Sequence, residues 1–158
     1  MADGVFNIAK GKVNEYVTRV DSNDPTNSAL VVVLLQAVEV DATLEDYDDL
    51  STLLAAAGNT EANFTNYARK ILTDTEVTVP VPDDTNNWQA SDIADQVWSN
   101  AGGTTDNTLT KLLICYDPDT TTGTDSDLIP LTYHDFAITT NGATLTGEIN
   151  ANGFHRAS

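Results

Sequence analysis

The chain has 158 residues and carries 24 Asp and Glu against seven Lys and Arg, which gives a formal net charge of -17 at pH 7. A chain this acidic is repelled by phosphate backbones, so nucleic acid is excluded as a partner. With two histidines, one cysteine and one methionine, the residues that usually perform nucleophilic, acid–base or metal chemistry are nearly absent. Composition therefore favours a structural or interaction protein. We expect no enzyme activity, no cofactor, and no catalytic, cofactor-binding or metal-binding residues.

The length predicts one domain, or one domain with a small helical segment attached to it. The longest apolar run, Ala29–Leu35, is too short to span a bilayer, so we expect no membrane partner. The N-terminal residues lack the apolar segment of a signal peptide, which predicts a protein that is made in a cytoplasm and stays in solution there. The single cysteine, Cys115, excludes an intramolecular disulfide.

Three helices are predicted within residues 1–60. The first follows from apolar residues at three- and four-residue spacing, which form one stripe: Phe6, Ala9, Val13, Tyr16, Val17 and Val20. Asp21–Pro25 reads as a stop followed by a new start, because proline is tolerated in a first helical turn. The second helix runs from a cap at Ser28 to about Glu39, and its apolar residues on all sides predict a central buried position. A buried strand is the alternative, because four valines lie between Val31 and Val38.

The third predicted helix begins at Thr43, which is a good N-cap residue with Asp46 at the third helical position, and ends at Gly58. Its apolar stripe consists of Leu44, Tyr47, Leu50, Leu53, Leu54 and Ala57. Acidic residues crowd its first turns, where the helix dipole favours negative charge. We interpret them as a solvated helix start rather than a metal site: Glu45, Asp46, Asp48 and Asp49.

The second half of the chain has strand-like patterns. Residues 63–73 fit a helix and a strand equally well, and Pro80 and Pro82 confine the segment around Val77 to a sheet edge or an extended linker. Further strands are predicted at residues 96–99, 111–116, 128–138 and 144–149, with loops at Asp83–Asn87 and Asp117–Asp127. The segment at 111–116 is continuously apolar, which indicates a central strand buried on both faces. Asn141-Gly142 is a strong hairpin signal, and Asn152-Gly153 turns the chain once more.

The predicted fold class is therefore α+β, with about three N-terminal helices followed by an antiparallel β-sheet or sandwich. Residues 1–60 form the helical segment and residues 61–158 the antiparallel β region, and together we expect them to make one compact structural unit.

The loop Asp117–Asp127 carries carboxylates at two-residue spacing, as calcium-binding loops do. An EF-hand loop would need glycine at its sixth position and glutamate at its twelfth, where this chain has Thr122 and Leu128. A solvated hairpin loop is the favoured interpretation, with a weak surface calcium or magnesium site as the alternative.

The remaining candidate residues also have structural interpretations. His134 and Asp135 are adjacent in a predicted strand, so their side chains should point to opposite faces. His155 lies far along the chain, and a metal site would need both imidazoles and a third ligand to converge. Cys115 is interpreted as a small buried hydrophobe. Trp88 lies in a polar loop, folded back under it or placed at an interface; Trp98 should lie in the core.

Several segments together resemble small virion proteins of tailed bacteriophages. They are Asn66–Leu72 (NYARKIL), Asp83–Asn87 (DDTNN), Ala101–Gly103 (AGG), Lys111–Thr120 (KLLICYDPDT), Leu128–Gly142 (LIPLTYHDFAITTNG) and Gly153–Ser158 (GFHRAS). The N-terminal segments Ala2–Tyr16 and Ser28–Ala37 look like virion proteins of actinobacterial phages. The resemblance implies that residues 66–72 form a strand, that the N-terminal helices lie on or beside an antiparallel sheet, and that the chain has no catalytic residues.

The same resemblance implies a capsid decoration or cementing protein on the outside of the head, located in the virion after synthesis in the bacterial cytoplasm. Such a protein would form homo-oligomers and bind the major capsid protein or another virion protein. A tail or head–tail accessory protein is one alternative. An acidic binding module that mimics DNA toward a basic host partner is an alternative of another class. Contacts with an acidic neighbouring subunit are expected first at the basic residues Lys10, Lys12, Arg19, Arg69 and Lys70.

Overall fold

A computed structural model describes residues 3–79 and 81–158, and in these residues short helices surround an antiparallel sheet. The helices are α1 (Val13–Asp21), α2 (Asp41–Leu44) and α3 (Leu50–Ala55), with a 3-10 turn at Asn7–Ala9. The strands are β1 (Gly4–Val5), β2 (Ala29–Ala37), β3 (Thr60–Glu61), β4 (Lys70–Leu72), β5 (Val77–Thr78), β6 (Gln89–Ile93), β7 (Gln96–Trp98), β8 (Thr108–Asp117), β9 (Ile129–Thr139), β10 (Leu145–Gly147) and β11 (His155–Ala157).

The main sheet has the order β1-β9-β8-β2, and both β3 and β4 pair with the free side of β2. All of these pairings are antiparallel. The fold class is therefore α+β with antiparallel pairing, as predicted. The predicted order of helices followed by a sandwich is not what forms, because the central strand β2 comes from the first sixty residues.

The predicted helix at Ser28–Glu39 is wrong, and the strand alternative is right. Both faces of β2 are buried. Leu30, Val32 and Leu34 belong to the apolar cluster that includes α1, while the alternate residues belong to the cluster that includes α2 and α3. A strand covered on both faces has no polar positions, so its sequence looks the same as that of a buried helix. Val31–Val33 favour the strand, because β-branched side chains fit a pleated surface.

The other two helix predictions are partly correct. The first helix is shorter than its apolar stripe, because the chain makes a 3-10 turn and passes through Gly11 (φ +75°) before α1 begins at Val13. No helix starts at Pro25, since the chain turns there into β2. The third helix is divided into α2 and α3. The N-cap of α3 is Asp49 rather than Thr43, and the Asp49 carboxylate accepts hydrogen bonds from the Thr52 backbone N–H and hydroxyl at 2.7 Å.

The β region contains all the predicted strands, with one difference in pairing. The turn at Asn141-Gly142 forms with Gly142 at φ +87°, but β10, which follows it, pairs with β7 rather than with β9. The backbone explains this, because the Gly142 N–H donates to the Ala101 carbonyl and the Ala101 N–H donates to Ala143. The turn therefore joins the Ala101–Gly103 segment instead of closing a hairpin.

Two small sheets complete the fold: β7 with β10, and β5 with β6 and β11. β5 is an edge strand, as predicted, although the predicted constraint from Pro80 lies outside the described residues. Within the ambiguous segment 63–73, only Lys70–Leu72 is a strand, so the strand that the resemblance implied for residues 66–72 is confined to its last three residues. One face of the main sheet packs against α1 and residues of the small sheets, and the other packs against α2 and α3.

Candidate functional site

A cleft beside β9 brings together a histidine and three carboxylate side chains. Its volume is about 170 Å³. It is lined by polar residues from three parts of the chain and by apolar residues beneath them: Asp3, His134, Asp135, Glu148, Asn150, Gly147, Gly153, Leu112, Phe136, Ile149 and Phe154. β9 supplies the imidazole, and the segment after β10 supplies the opposite wall.

His134 lies between two oxygen partners in this cleft. Its Nε2 is 3.0 Å from Thr132 Oγ1, and its Nδ1 is 3.4 Å from Asp3 Oδ2. The order hydroxyl, imidazole, carboxylate is that of a nucleophile, a base and an orienting group. Thr132, however, is only 1% exposed, so a substrate in the cleft cannot reach its hydroxyl. Burial lowers the pKa of His134, and the nearby Asp3 carboxylate partly opposes that shift. The arrangement therefore connects the N-terminal segment to β9 and keeps the imidazole neutral.

Asp135 points to the opposite face from His134, as the strand pattern predicted. Its carboxylate lies 2.6 Å from the Nζ of Lys111, whose side chain is completely buried. The same ammonium lies 3.1 Å from Asp41 Oδ1 and 4.9 Å from the centre of the Tyr133 ring. Burial disfavours the ammonium charge, but contacts with Asp135 and Asp41 outweigh it and raise the pKa of Lys111. Sequence reasoning missed this group, although a lysine beginning the apolar run KLLICY was a signal that it has buried partners.

His155 does not join His134 in a metal site. It lies on β11 with its Nδ1 3.1 Å from Asn14 Oδ1, and burial, with a smaller effect from His134, lowers its pKa. Among residues 3–79 and 81–158, no group of three or more His, Cys, Asp or Glu side chains is placed to hold a metal ion.

The loop Asp117–Asp127 directs its carboxylates into its own backbone. Asp119 accepts from the Thr121 and Thr122 hydroxyls and the Thr121 N–H, and these bonds lower its pKa to about 2. Asp125 binds the Arg69 guanidinium, which lowers its pKa. These contacts are the ones expected of a hairpin loop. The weak surface cation site stays a prediction.

Cys115 and the two tryptophans are buried or half-buried and pack against other parts of the chain. Cys115 is buried, and burial raises the pKa of its thiol to about 12. Trp98 is buried as predicted, and its indole N–H donates to the Ala68 carbonyl at 2.8 Å. Trp88 is half-buried, with the Arg156 guanidinium 5.2 Å from its ring centre. That contact places one face of Trp88 against the C-terminal strand.

The basic residues expected to contact a neighbour differ in their availability. Arg69 is fully engaged by Glu61 and Asp125, and Arg19 pairs with Glu15 at 2.7 Å. Lys10 makes an exposed pair with Glu45 at 3.4 Å. Lys12 is exposed, and its ammonium contacts no carboxylate in the described part of the chain.

Searches against protein-family models, curated proteins and solved structures give no match to this chain. In the described residues, no helix has the length and apolar character needed to cross a membrane.

Proposed function

We propose that the chain is a structural protein of a phage virion, and that it decorates or cements the outside of the head. The family comes from the sequence resemblance. The observation that supports a structural role is the set of acidic surface loops whose carboxylates are capped by their own backbone.

Three loops and one helix start share this device. Asp83 accepts from the N–H groups of Thr85 and Asn86 at 3.0 Å, and Asp119 accepts from the Thr121 N–H at 3.0 Å. The same arrangement occurs where Asp127 accepts from Thr124 at 2.8 Å, and at the N-cap of α3. Such loops hold one shape before they meet a partner, so docking loses less conformational entropy. A repeated lattice contact benefits directly from that preorganisation.

The net charge supports an outward-facing position. A charge of -17 keeps clustered copies apart and soluble. The same charge is repelled by packaged DNA, because phosphate binding depends on Lys and Arg displacing counterions. An outer surface therefore suits the chain better than the inside of a DNA-filled shell, with the major capsid protein or another virion protein as partner.

Mass spectrometry of purified virions tests the proposal. We expect the protein in intact particles, at a copy number that follows the head lattice, and enriched in heads when heads and tails are separated. Enrichment with tails would support the tail or head–tail alternative. Absence from particles, together with capture of a basic DNA-binding host protein in a pull-down, would replace the proposal with the DNA-mimic alternative.

Lys12 is the place to test contact with an acidic neighbour. Replacing Lys12 with Ala should weaken rebinding of the purified protein to particles that lack it, whereas Thr104→Asp should not. Thr104 is also exposed, and both substitutions lower the net charge by one. Equal weakening by both variants would indicate a general charge effect and remove Lys12 from the contact.

A further inference from the structure

The group around the buried Lys111 side chain has the geometry of a covalent cross-link site. The register of β8 and β9 places Lys111 directly opposite Asp135, and the Nζ atom lies 2.6 Å from Asp135 Oδ1. Asp41, at the start of α2, brings a second carboxylate oxygen to 3.1 Å from the same nitrogen. We propose that Lys111 and Asp135 are joined by an isopeptide bond, with Asp41 as the proton carrier.

The surroundings shield the amine more than the two carboxylates, because the Asp41 and Asp135 side chains are 26% and 35% exposed. The Lys111 side chain is completely buried, and the Tyr133 ring covers its ammonium at 4.9 Å. Phe6 packs edge-on against that ring at 5.4 Å between centres. Asp41 Oδ1 is itself buried and faces the Lys111 ammonium at 3.1 Å, so it is placed to take a proton from that nitrogen. Holding an amine against a carboxyl group in this way is equivalent to an effective concentration of about 10⁵ M or more.

The step is a condensation that needs no co-reactant. The ammonium first gives one proton to the Asp135 carboxylate along their hydrogen bond. The neutral amine then attacks Asp135 Cγ and forms the C–N bond. Asp41 takes a second proton from the nitrogen and returns it to the departing hydroxyl, so the C–O bond breaks and one water leaves. The product is a neutral secondary amide, and Asp41 is again a carboxylate.

Before the amine can attack, the ion pair of Lys111 and Asp135 has to become neutral. Although burial opposes its charge, Lys111 has a raised pKa because of its carboxylate contacts, and the same contact lowers the pKa of Asp135, so the ion pair is the state that precedes reaction. The bond should therefore form after folding and accumulate with time.

Intact mass spectrometry of the denatured protein is the direct test. After incubation at neutral pH, the wild-type chain should weigh one water less than its sequence. Chymotrypsin can cut after Tyr116 and Tyr133, so it should release Lys111 and Asp135 on one branched peptide. A wild-type chain of full sequence mass, with separate peptides, overturns the proposal.

Three variants separate this bond from other dehydrations. Lys111→Arg keeps the positive charge but cannot form the amide, so it should retain full mass. Water loss that persists in this variant would place the dehydration elsewhere, for example at an aspartate succinimide.

Asp41→Asn should slow bond formation at least tenfold, and Asp135→Asn should still cross-link, with ammonia leaving instead of water. Unchanged kinetics in Asp41→Asn would remove the proton-carrier role. Because the branched wild-type peptide decides the main question alone, a variant that fails to fold leaves the test intact.

Discussion

At the scale of single residues, Arg69 connects parts of the chain that are distant in sequence. Its guanidinium donates to both carboxylate oxygens of Glu61 on β3 and to both oxygens of Asp125 in the loop before β9. Both partners raise the pKa of Arg69, so it is charged at any ordinary pH. The planar fork of arginine suits two bidentate carboxylates, which lysine cannot match. The Arg69 side chain therefore ties this loop to the sheet.

Replacing Arg69 with Ala should lower the free energy of unfolding by about 2 to 3 kcal/mol, because hydrogen bonds between charged groups are lost and two half-buried carboxylates are left near each other. Arg69→Lys should recover part of this loss, since it restores the charge but not the fork. Urea denaturation measures both values. A change below about 0.5 kcal/mol for Arg69→Ala would mean that this network contributes no more to the free energy of unfolding than an exposed surface ion pair does.

The two histidines give the protein a second residue-scale property, a sensitivity to mild acid. Burial lowers the pKa of both His134 and His155, so the unfolded chain binds protons at a higher pH than the folded one. Their contribution to stability is present above the unfolded value of about 6.5 and is lost as the pH falls through the lower native values. NMR titration should give both imidazoles pKa values below about 6.5.

Replacing both histidines with Gln provides the control. Between about pH 7 and 5.5 the wild type should lose stability relative to this double variant. The carboxylates with lowered pKa, such as Asp125 and Glu76, act in a separate window, because the unfolded carboxylates take up protons only near pH 4. Parallel pH curves for the two proteins would contradict the assignment.

At the scale of elements, β2 determines most of the architecture. It lies between β8 on one side and β3 with β4 on the other, and its two faces belong to two different apolar clusters. Its residues therefore tolerate little change in polarity on either face. Because β2 contributes side chains to both clusters, a defect in β2 affects both.

Val33→Thr should lower the free energy of unfolding by about 1 to 3 kcal/mol, because Thr keeps the shape of Val and adds a hydroxyl without a partner in the core. The matched control is Val97→Thr, at a strand position that is 43% exposed, where we expect a change within about 0.5 kcal/mol. Thermal or urea unfolding measures both. Equal effects at the two positions would mean that Val33 is not enclosed as described.

The same strand shows how far the sequence can predict this fold. β8 was predictable, because five apolar residues after Lys111 and before a turn signal are too short for a helix. β2 was not, because a longer run with no polar position fits a buried helix as well. The pairing of β10 with β7 depends on contacts of Gly142 with Ala101, and no local pattern encodes them. Likewise Lys111, Asp41 and Asp135 meet only through the register of the folded chain.

At the scale of the whole molecule, charge repulsion opposes a well-packed fold. Of the seven basic residues, Lys111 is buried and Arg69 is engaged internally, so few cations remain to offset the acidic surface. Self-repulsion of this kind destabilises the compact state and is screened by salt.

The melting temperature should therefore rise with sodium chloride, most steeply below about 0.15 M, where the Debye length shortens from about 30 Å at 0.01 M to about 8 Å. Surface ion pairs weaken under the same conditions, but among the described residues they are few. Differential scanning calorimetry in a salt series measures the effect, with sucrose as an uncharged comparison. A melting temperature that falls with salt would show that attractive pairs outweigh the repulsion.

The early position of β2 in the chain has a consequence for synthesis. Its nine residues leave the ribosome well before β8, their main partner, and contain no charged side chain. An unpaired apolar strand is a template for aggregation. Asp21 and Asp24 precede β2, and Glu39 and Asp41 follow it. Charged residues in such flanking positions act as gatekeepers that limit the aggregation of an apolar strand. We therefore expect part of the acidity of this chain to limit aggregation of the unfinished protein, before any folded surface exists.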